Sequence, residues 1–289
     1  MIITAAICTH DRYDTLCDAI GSLCEQTLSR DAFQILVVDN SSDSVRAHEF
    51  AARYREAENL RFVHLDRPGL SQARNVAIHQ CVTPYLAYVD DDAVADSDWL
   101  ASIARFFETA PSEVAAVGGP VAPIWEVPRP SWLDDNLLGY VGVVDLGDNE
   151  KEVGSASLIG TNVAYRREAL VAAGGFRTDL GRRGQLLISN EEIELHDRLL
   201  AAGQRLVYCP GIRVQHRVAK HRLTQQWMRQ RVFWQAISDL MSKSDAAPTA
   251  LIPRRWGLSR DTNNPRRFNR QCHRIGRAIR KLSAGWRIL

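Results

Sequence analysis

The first hundred residues alternate short apolar runs with segments of helical periodicity. The apolar runs predict strands at 2–7, 33–38, 60–65 and 85–89. Between them, apolar residues spaced three and four apart predict helices at 13–27, 45–57 and 71–81, the last with Ser71 as its N-cap. Strands and helices that alternate over short links are typical of an α/β fold with a mostly parallel central sheet and helices on both faces. Ligands of such sheets bind at the carboxyl ends of the strands.

The rest of the sequence predicts a second half of the same domain and a helical extension. Residues 117–158 are rich in Gly, Pro and Trp and indicate irregular structure that forms a cleft wall. Further elements are predicted as a strand and helix over 158–171, a helix over 191–202, short strands over 205–209 and 212–215, and a helix over 223–241. The expected main domain, called the body below, comprises residues 1–220 with halves 1–115 and 116–220. It is followed by a helix 221–241 packed on it, a linker 242–265 and a last helix 266–289.

Composition excludes several classes of protein. With 289 residues, of which 45% are hydrophobic, the chain can bury one large core. No apolar run approaches the roughly 18–20 residues that span a bilayer, and the N-terminus lacks the basic region of a signal peptide. The six cysteines form no CxxC pair and predict free thiols in a reducing cytoplasm.

Three consecutive carboxylates, Asp90, Asp91 and Asp92, follow the apolar run YLAYV. In one interpretation a single aspartate caps a helix and the others are solvated. Three crowded like charges repel one another, however, and a bound divalent cation relieves that repulsion. Oxygen ligands suit Mg²⁺ or Mn²⁺, and these ions also coordinate the phosphates of a substrate. The triplet therefore predicts a metal–diphosphate site.

Other phosphate-binding patterns are missing from the sequence. There is no GxxxxGK[ST] stretch, and no GxGxxG follows the first predicted strand, which ends in Thr9-His10-Asp11-Arg12 instead. The second predicted strand ends in Asp39. An acidic residue at such a position can bind a ribose hydroxyl or a base edge, or can occupy a surface turn. Asp39 is therefore a candidate nucleotide contact.

Seven sequence blocks, taken in order, resemble the family 2 glycosyltransferases, which have the GT-A fold. The blocks are AAICTHDR, ILVVDNSSD, GLSQARNVAI, YVDDDA, GTNVAYRREAL, ISNEEIELHDRL and PGIRVQH. They run from residue 3 to residue 216, so the resemblance covers most of the body. It implies an inverting hexosyltransferase that takes its sugar from a nucleotide-diphosphate sugar, with a UDP-sugar favoured and Mn²⁺ or Mg²⁺ as the cofactor.

The resemblance also implies a donor site. Its nucleotide-binding residues are expected to be Thr9, His10, Arg12, Asp39, Arg74, Asp90 and Asp91. Asp90 and Asp92 match the ends of a DxD motif, with Asp92 as metal ligand and Asp90 close to the ribose and the metal. His216 matches a late histidine that helps bind the metal, although a histidine at a strand end can also serve the fold alone. Asp91 is expected to tolerate substitution best of the three aspartates.

An acidic pair, Glu191 and Glu192, begins the predicted helix at 191. Acids stabilise a helix N-terminus through its dipole and Asn190 can cap it, so one interpretation of the pair is purely structural. The resemblance implies instead that one glutamate is the general base that deprotonates the acceptor hydroxyl. Glu192 occupies the base position, where many relatives have Asp, and the assignment stays open between Glu192 and Glu191.

Four further residues are expected to contact the donor or the acceptor: Asn162, Trp125, Arg229 and Arg231. Two tryptophans of the helix at 223–241, Trp227 and Trp234, are more typical of core packing. The QxxRW motif of processive polysaccharide synthases is poorly matched by QWMRQ at 226–230. This difference favours transfer of a single sugar.

The C-terminal segment from residue 254 carries eleven Lys/Arg and one acidic residue. Apolar residues spaced four and three apart over 268–286 predict an amphipathic helix with basic flanks. Such a helix is typical of binding to an anionic membrane surface, here expected through Arg270, Arg274, Arg277 and Trp286. The alternatives are docking on the body or on a second copy in a homodimer. Nucleic-acid binding is not expected, since no recognition fold accompanies the segment.

These inferences predict a glycosyltransferase that is peripheral on the cytoplasmic face of the inner membrane. Its acceptor is expected to be a glycan or a lipid-linked sugar in bacterial surface-polysaccharide synthesis. One alternative is a sugar-nucleotide nucleotidyltransferase, which needs a Gly-rich basic loop that CTHDRYDTL lacks. Another is a non-catalytic carbohydrate-binding relative, which predicts a degraded site, whereas Asp90, Asp92 and Glu192 are all present.

Overall fold

The computed structural model describes residues 1–184 and 186–243. The strands in this part are β1 (Ile3–Thr9), β2 (Phe33–Asp39), β3 (Leu60–His64), β4 (Tyr85–Val89), β5 (Ala93–Ala95), β6 (Val114–Gly118), β7 (Val121–Trp125), β8 (Lys151–Glu152), β9 (Asn162–Arg166), β10 (Arg205–Tyr208) and β11 (Val214–Val218). The helices are α1 (Tyr13–Cys24), α2 (Ser44–Ala52), α3 (Leu70–Gln80), α4 (Trp99–Thr109), α5 (Arg167–Ala172), α6 (Glu191–Ala201) and α7 (Gln225–Ser242), with 3₁₀ turns at Asp135–Val141 and Lys220–Leu223.

The central sheet has eight strands in the order β3-β2-β1-β4-β9-β6-β10-β8. Strands β3, β2, β1 and β4 are parallel, as are β6 and β10. Strand β9 runs antiparallel between β4 and β6, and β8 is antiparallel to β10 at the edge. A second sheet has the order β5-β11-β7. The expected α/β fold with a mostly parallel sheet is confirmed, and the antiparallel β9 is the feature that the strand–helix alternation did not indicate.

Helices cover both faces of the central sheet because its strands alternate their side chains. In β1, Ile3 and Ile7 belong to the core beneath α1 and α4, whereas Ala6 belongs to the core beneath α3 and α6. Leu16 of α1 and Leu195 of α6 are fully buried on opposite faces. Each such side chain contributes about 1.5–3 kcal/mol relative to an exposed one. This two-sided core fixes the strand ends that carry the polar residues.

Helix α7 packs against the body rather than standing apart from it. Its residues Ile237 and Met241 join Leu180 and Ile188 in a small apolar cluster. At its other end Met228 packs with residues that include Leu133, Val141, Val218 and Leu223. The helix therefore contacts the segment before α6 at one end and the residues that follow β7 at the other.

Several local predictions are corrected by the structure. Helix α3 begins at Leu70 after Gly69, and the Ser71 hydroxyl donates to the Leu180 carbonyl at 2.7 Å instead of capping the helix. Asn190 stands at the N-cap position of α6 but makes no capping bond, because its Oδ1 accepts from Gln235 Nε2 at 2.6 Å while its Nδ2 donates to Asp239 at 2.7 Å. The segment 117–158, expected to be irregular, contains the last two residues of β6 and all of β7 and β8.

The remaining predictions on the fold concern the cysteines and the C-terminal segment. Cys8, Cys17, Cys24, Cys81 and Cys209 are free thiols, as expected. No helix within residues 1–184 and 186–243 is long and apolar enough to cross a membrane. The predicted last helix, with Arg270, Arg274, Arg277 and Trp286, lies outside the described residues, as does nearly all of the linker 242–265.

Asn162, at the start of β9, fastens the two sheets together. Its Nδ2 donates to the Pro120 carbonyl before β7 at 3.1 Å and to the Ile212 carbonyl before β11 at 2.7 Å. Its Oδ1 accepts from the Trp99 indole at 2.9 Å. The side chain is buried and all of its amide groups are used. Asn162 therefore holds the two sheets together, and its expected contact with the donor or the acceptor stays a prediction.

Replacement of Asn162 by Ala should destabilise the protein by about 2–4 kcal/mol, because three buried partners lose their hydrogen bonds. Urea unfolding followed by far-UV circular dichroism measures the change. Asn149→Ala, at an exposed position, is the matched control and should stay within about 0.5 kcal/mol of the parent. A loss below about 1 kcal/mol in Asn162→Ala would contradict this role.

Candidate active site

The polar side chains predicted to form the site lie where β1, β2 and β4 end, at the carboxyl edge of the parallel strands. They form one polar cluster. Thr9 ends β1, Asp39 ends β2 and the aspartate triplet follows β4. Helix α6 brings the acidic pair to the same edge, where the loop before β9 also arrives. One buried guanidinium, that of Arg74 on α3, joins these parts.

Arg74 contacts carboxylates from two directions. Its Nη1 lies 3.0 Å from Glu191 Oε1 and 3.3 Å from Glu192 Oε1, and its Nη2 lies 3.8 Å from Asp90 Oδ1. Only 3% of the Arg74 side chain is exposed. The guanidinium also lies over the rings of Tyr88 and Phe176, at 5.8 and 5.5 Å from their centroids. Arg74 thus links the aspartate triplet to the acidic pair inside the protein.

Gly160 leaves room for this contact. A Cβ at this position would lie 1.9 Å from Arg74 Nη2 and 2.5 Å from Glu192 Oε1. The Gly160 amide donates to Glu192 Oε1 at 3.0 Å. The neighbouring Thr161 hydroxyl donates to Asp90 Oδ2 at 2.6 Å. Gly160 and Thr161, which precede β9, therefore orient one carboxylate on each side of Arg74.

The two glutamates have different electrostatic environments. Burial raises the pKa of Glu191 to about 7, and the charge of Glu192 adds to the shift. Burial acts on Glu192 in the same direction, but Arg74 and backbone N–H groups outweigh it and lower the pKa of Glu192 below its ordinary value. Glu192 is 17% exposed and Glu191 is 3% exposed. Glu192 is thus the ionised member that reaches the open side of the cluster.

The other two aspartates of the triplet are held by Arg12. Its Nη1 donates to Asp91 Oδ1 at 2.7 Å and its Nη2 contacts Asp92 Oδ2. Asp91 also accepts from the Thr9 hydroxyl at 2.7 Å. Burial raises the pKa of Asp91 to about 7, although Arg12 opposes this shift. Asp91 therefore fixes the end of β1 against the triplet, a role that the expectation of its tolerance to substitution did not include.

Asp92 and His216 are the two side chains here that could bind a metal. His216 Nε2 lies 3.3 Å from Asp92 Oδ1, and both side chains are almost fully buried. His216 Nδ1 has no hydrogen-bond partner among the described residues. Arg222 Nη2 lies 3.2 Å from Asp92 Oδ2. Burial would raise the pKa of Asp92, but His216, Arg222 and Arg12 outweigh it and keep this carboxylate ionised.

This donor set suits an ion that keeps part of its coordination shell for a substrate. No group of three or more His, Cys, Asp or Glu side chains within 1–184 and 186–243 is arranged to hold a metal alone. Mg²⁺ and Mn²⁺ are commonly bound by one or two protein carboxylates together with waters and phosphate oxygens. Asp90, the other expected ligand, accepts from Thr161 and lies 3.8 Å from Arg74, and its metal contact stays a prediction.

The remaining expected nucleotide contacts surround the end of β2. Asp39 is buried, accepting from the Tyr13 hydroxyl at 2.8 Å and from the Ser41 amide at 2.9 Å. His10 is partly exposed, and its Nδ1 lies 2.8 Å from the Asn40 carbonyl. The structure thus places His10 and Asp39 on adjacent strand ends, next to the Thr9–Asp91 contact.

The four residues expected to contact donor or acceptor lie in different places. Arg231 is buried near the acidic pair, with its Nη2 3.3 Å from the Ser189 hydroxyl. Arg229 is exposed on α7 and its Nη2 donates to Gln225 at 3.4 Å. Trp125 packs with the apolar cluster that contains Val141 and Met228. Asn162 belongs to the sheet junction described above.

Sequence reasoning missed four residues of this region: Gly160, Thr161, Arg222 and Arg182. Gly160 and Thr161 stood inside a recognised block, but only the packing shows what they contact. Arg222 lies within the short 3₁₀ turn Lys220–Leu223, which precedes α7. Its proximity to Asp92 depends on the long-range pairing of β11 with β5 and β7, which no local pattern indicates.

Comparison with known proteins decides the family. The model of the glycosyl transferase family 2 matches residues 4–172, which is more than half of the chain. The chain belongs to glycosyl transferase family 2. It is therefore a glycosyltransferase, as the sequence blocks implied.

Curated relatives and solved structures agree with this membership. The chain is 26% identical over 243 residues to a glucosyl-dolichyl phosphate glucuronosyltransferase of Haloferax volcanii, covering 82% of this chain and 76% of the relative. It is 27% identical over 235 residues to the succinoglycan biosynthesis protein ExoM of Rhizobium meliloti, covering 80% and 72%. The mannosyltransferase PcManGT of Pyrobaculum calidifontis, solved with GDP-Man and Mn²⁺, superposes with a TM-score of 0.60 at 19% identity, covering 99% of this chain and 76% of that one. The GT-A fold is thereby confirmed.

Gly160→Ala should lower glycosyl transfer by at least about a hundredfold, because the new methyl group displaces Arg74 and the Glu192 carboxylate. The rate at which the enzyme releases nucleoside diphosphate from the sugar donor measures the effect, and circular dichroism checks the fold. Gly154→Ala is the matched control, since a Cβ there meets nothing within 4 Å. Full activity in a folded Gly160→Ala protein would contradict the arrangement.

Proposed function

We propose that this glycosyltransferase moves a sugar from a nucleotide-diphosphate sugar, with a UDP-sugar favoured, to a glycan or lipid-linked acceptor with inversion at the anomeric carbon. The observation that carries the proposal is the shared contact of Arg74 with Asp90 and Glu192. It sets a carboxylate of the donor-side triplet and an ionised, partly exposed glutamate on either side of one guanidinium. A single displacement needs these two functions side by side.

Glu192 is the proposed general base. A base must first reach the proton it removes, and Glu192 is the member of the pair that is open to the cluster. In the proposed step the acceptor oxygen forms a bond to the anomeric carbon as its proton passes to Glu192. The bond from that carbon to the diphosphate breaks, and its electron pair leaves with the diphosphate oxygen. Glu191 shares Arg74 with the base and tunes its charge.

The proposed donor site extends from His10 and Asp39 to the aspartate triplet. Thr9, Asp91 and Arg12 keep the triplet in register with the end of β1. Asp92 and His216 would hold Mn²⁺ or Mg²⁺, which when bound supplies positive charge to the departing diphosphate. Arg12 and Arg222, both in contact with Asp92, add fixed positive charge at the same place.

The names of two relatives support the proposed acceptor class. The Haloferax protein is named for a dolichyl phosphate-linked glucose, and the Rhizobium protein for the biosynthesis of succinoglycan. We infer a role in bacterial surface-polysaccharide synthesis, with the enzyme peripheral on the cytoplasmic face of the inner membrane. The basic C-terminal segment supports the membrane part of this proposal through its composition.

Glu192→Gln should lower transfer by about 10²–10⁴-fold, because the amide cannot accept the acceptor proton. Glu191→Gln should cost less and leave a base in place. Both are measured as nucleoside diphosphate release with Mg²⁺, with the exposed Glu168→Gln as control. If Glu191→Gln were the more damaging variant and Glu192→Gln kept most of the activity, Glu191 would be the base.

Asp92→Asn should remove the metal-dependent part of nucleotide binding, because a neutral amide is a poor ligand for a hard cation. In the parent protein, UDP should raise the melting temperature more with Mn²⁺ than with EDTA. In Asp92→Asn the two shifts should be equal, while the exposed Asp14→Asn should behave as the parent. A Mn²⁺-dependent shift that persists in Asp92→Asn would contradict the proposed ligand.

A further inference from the structure

Two arginines beside the acidic pair have buried guanidinium nitrogens without a partner. Arg231 Nε and Nη1 and Arg182 Nη1 make no hydrogen bond to the part of the chain that the structure describes. The Arg231 residue is 8% exposed. The nearby ion pairs join Arg74 to the glutamates and Arg222 to Asp92, and none within the described ranges includes Arg182 or Arg231.

Both arginines are placed next to the glutamates by the fold. Arg182 lies in the loop before α6, where its carbonyl accepts from the Leu70 amide at 3.0 Å. A Cβ on the preceding Gly181 would lie 3.4 Å from Glu191 Cδ, so this loop runs directly against the acidic pair. Arg231 arrives on α7 and its Nη2 bonds to Ser189, two residues before Glu191.

Helix α7 is docked so that Arg231 keeps this position. Gln235 donates to the Asn190 side chain at 2.6 Å, and the Ser238 hydroxyl accepts from the Ser189 amide at 2.9 Å. On its other side the Arg231 guanidinium lies 5.8 Å from the centre of the Tyr140 ring. The unpaired nitrogens therefore belong to a side chain that packing and hydrogen bonds hold on two sides.

Glu191 and Glu192 attract both arginines, but this attraction does not offset the effect of burial. Burial, assisted by the charges of Arg231 and Arg222, lowers the pKa of Arg182 to about 10. Burial also lowers the pKa of Arg231. Buried charges in proteins are normally paired, and a buried donor without a partner costs free energy. Water can satisfy an N–H group, but it does not cancel the repulsion between two guanidinium ions, whereas an anion does both.

The position of the cluster indicates where its anion comes from. The donor diphosphate has its own cations, Arg12 and Arg222, at Asp92. Arg182 and Arg231 lie instead around the glutamates, where the acceptor hydroxyl must approach. Guanidinium groups bind phosphate with paired hydrogen bonds, and a terminal phosphate offers three acceptor oxygens to the three free nitrogen atoms.

We propose that Arg182 and Arg231 form a second anion subsite, which binds a phosphate group carried by the acceptor beside the acidic pair. The proposal rests on the proposed function, since it deepens the acceptor side of the same reaction. It restricts the acceptor to a molecule whose reactive hydroxyl lies close to a phosphate, such as a sugar joined to a lipid through phosphate.

The test is calorimetric titration of inorganic phosphate, and of octyl phosphate, into the protein with and without saturating UDP and Mg²⁺. Both phosphates should bind to the UDP-loaded protein. Arg182→Gln and Arg231→Gln should each weaken this binding by about tenfold or more, the loss expected for a charge-assisted hydrogen bond. Their affinity for UDP should stay within about threefold of the parent, because these two arginines do not serve the donor diphosphate.

A matched variant controls for the loss of charge. Arg183→Gln removes a neighbouring exposed arginine that bonds to the Thr178 carbonyl at 2.8 Å. It should not weaken phosphate binding appreciably. Circular dichroism establishes that each variant is folded.

The outcomes separate this proposal from the proposed function. Failure of UDP to bind the parent protein contradicts the proposed donor, and the titrations without UDP still test the subsite. Failure of either phosphate to bind the UDP-loaded protein overturns the subsite. An equal loss of UDP and phosphate affinity in Arg182→Gln and Arg231→Gln assigns the two arginines to the donor diphosphate. Binding of inorganic phosphate alone, without octyl phosphate, excludes a phosphate attached to an acceptor.

Discussion

The buried guanidinium of Arg74 is the interaction on which the rest of the site depends. It contacts both Glu191 and Glu192 at the start of α6 and reaches Asp90, which follows β4. Without it, two adjacent buried carboxylates would repel each other; removing one partner of a buried ion pair costs about 3–5 kcal/mol. Tyr88 and Phe176 hold its plane, and Gly160 leaves it space. The proposed donor and acceptor sides of the site are thereby connected through one buried side chain.

Much of the fold could be predicted because its signals are local. Apolar runs and helical spacings located β1, β2, β3 and α3 to within a few residues. The order of the sequence blocks identified the family, and the aspartate triplet with the acidic pair marked the site. Strand β9 runs antiparallel between β4 and β6, and this pairing depends on residues far apart in the chain. No local periodicity carries that information.

The contacts within the site were harder to predict for the same reason. Asn162 is predicted to contact the donor or the acceptor, and only the structure shows that its amide also joins two sheets and the Trp99 indole. Asp91 is predicted to tolerate substitution best of the three aspartates, and only the structure shows that it contacts Thr9 and Arg12. Gly160 carries no chemistry of its own, and only the 1.9 Å clash of a Cβ with Arg74 shows why it must be glycine.

The most direct test of this account is the titration of the two glutamates. Carbon-13 NMR of the glutamate carboxyl groups, with Glu191→Gln and Glu192→Gln used to assign the signals, follows each proton separately. The account predicts that Glu191 titrates near pH 7 and Glu192 below its ordinary range, since burial dominates the first and Arg74 the second. In Glu192→Gln the pKa of Glu191 should fall, because the neighbouring charge is gone. If both glutamates titrated at the ordinary value of about 4.3, the electrostatic link through Arg74 would be contradicted.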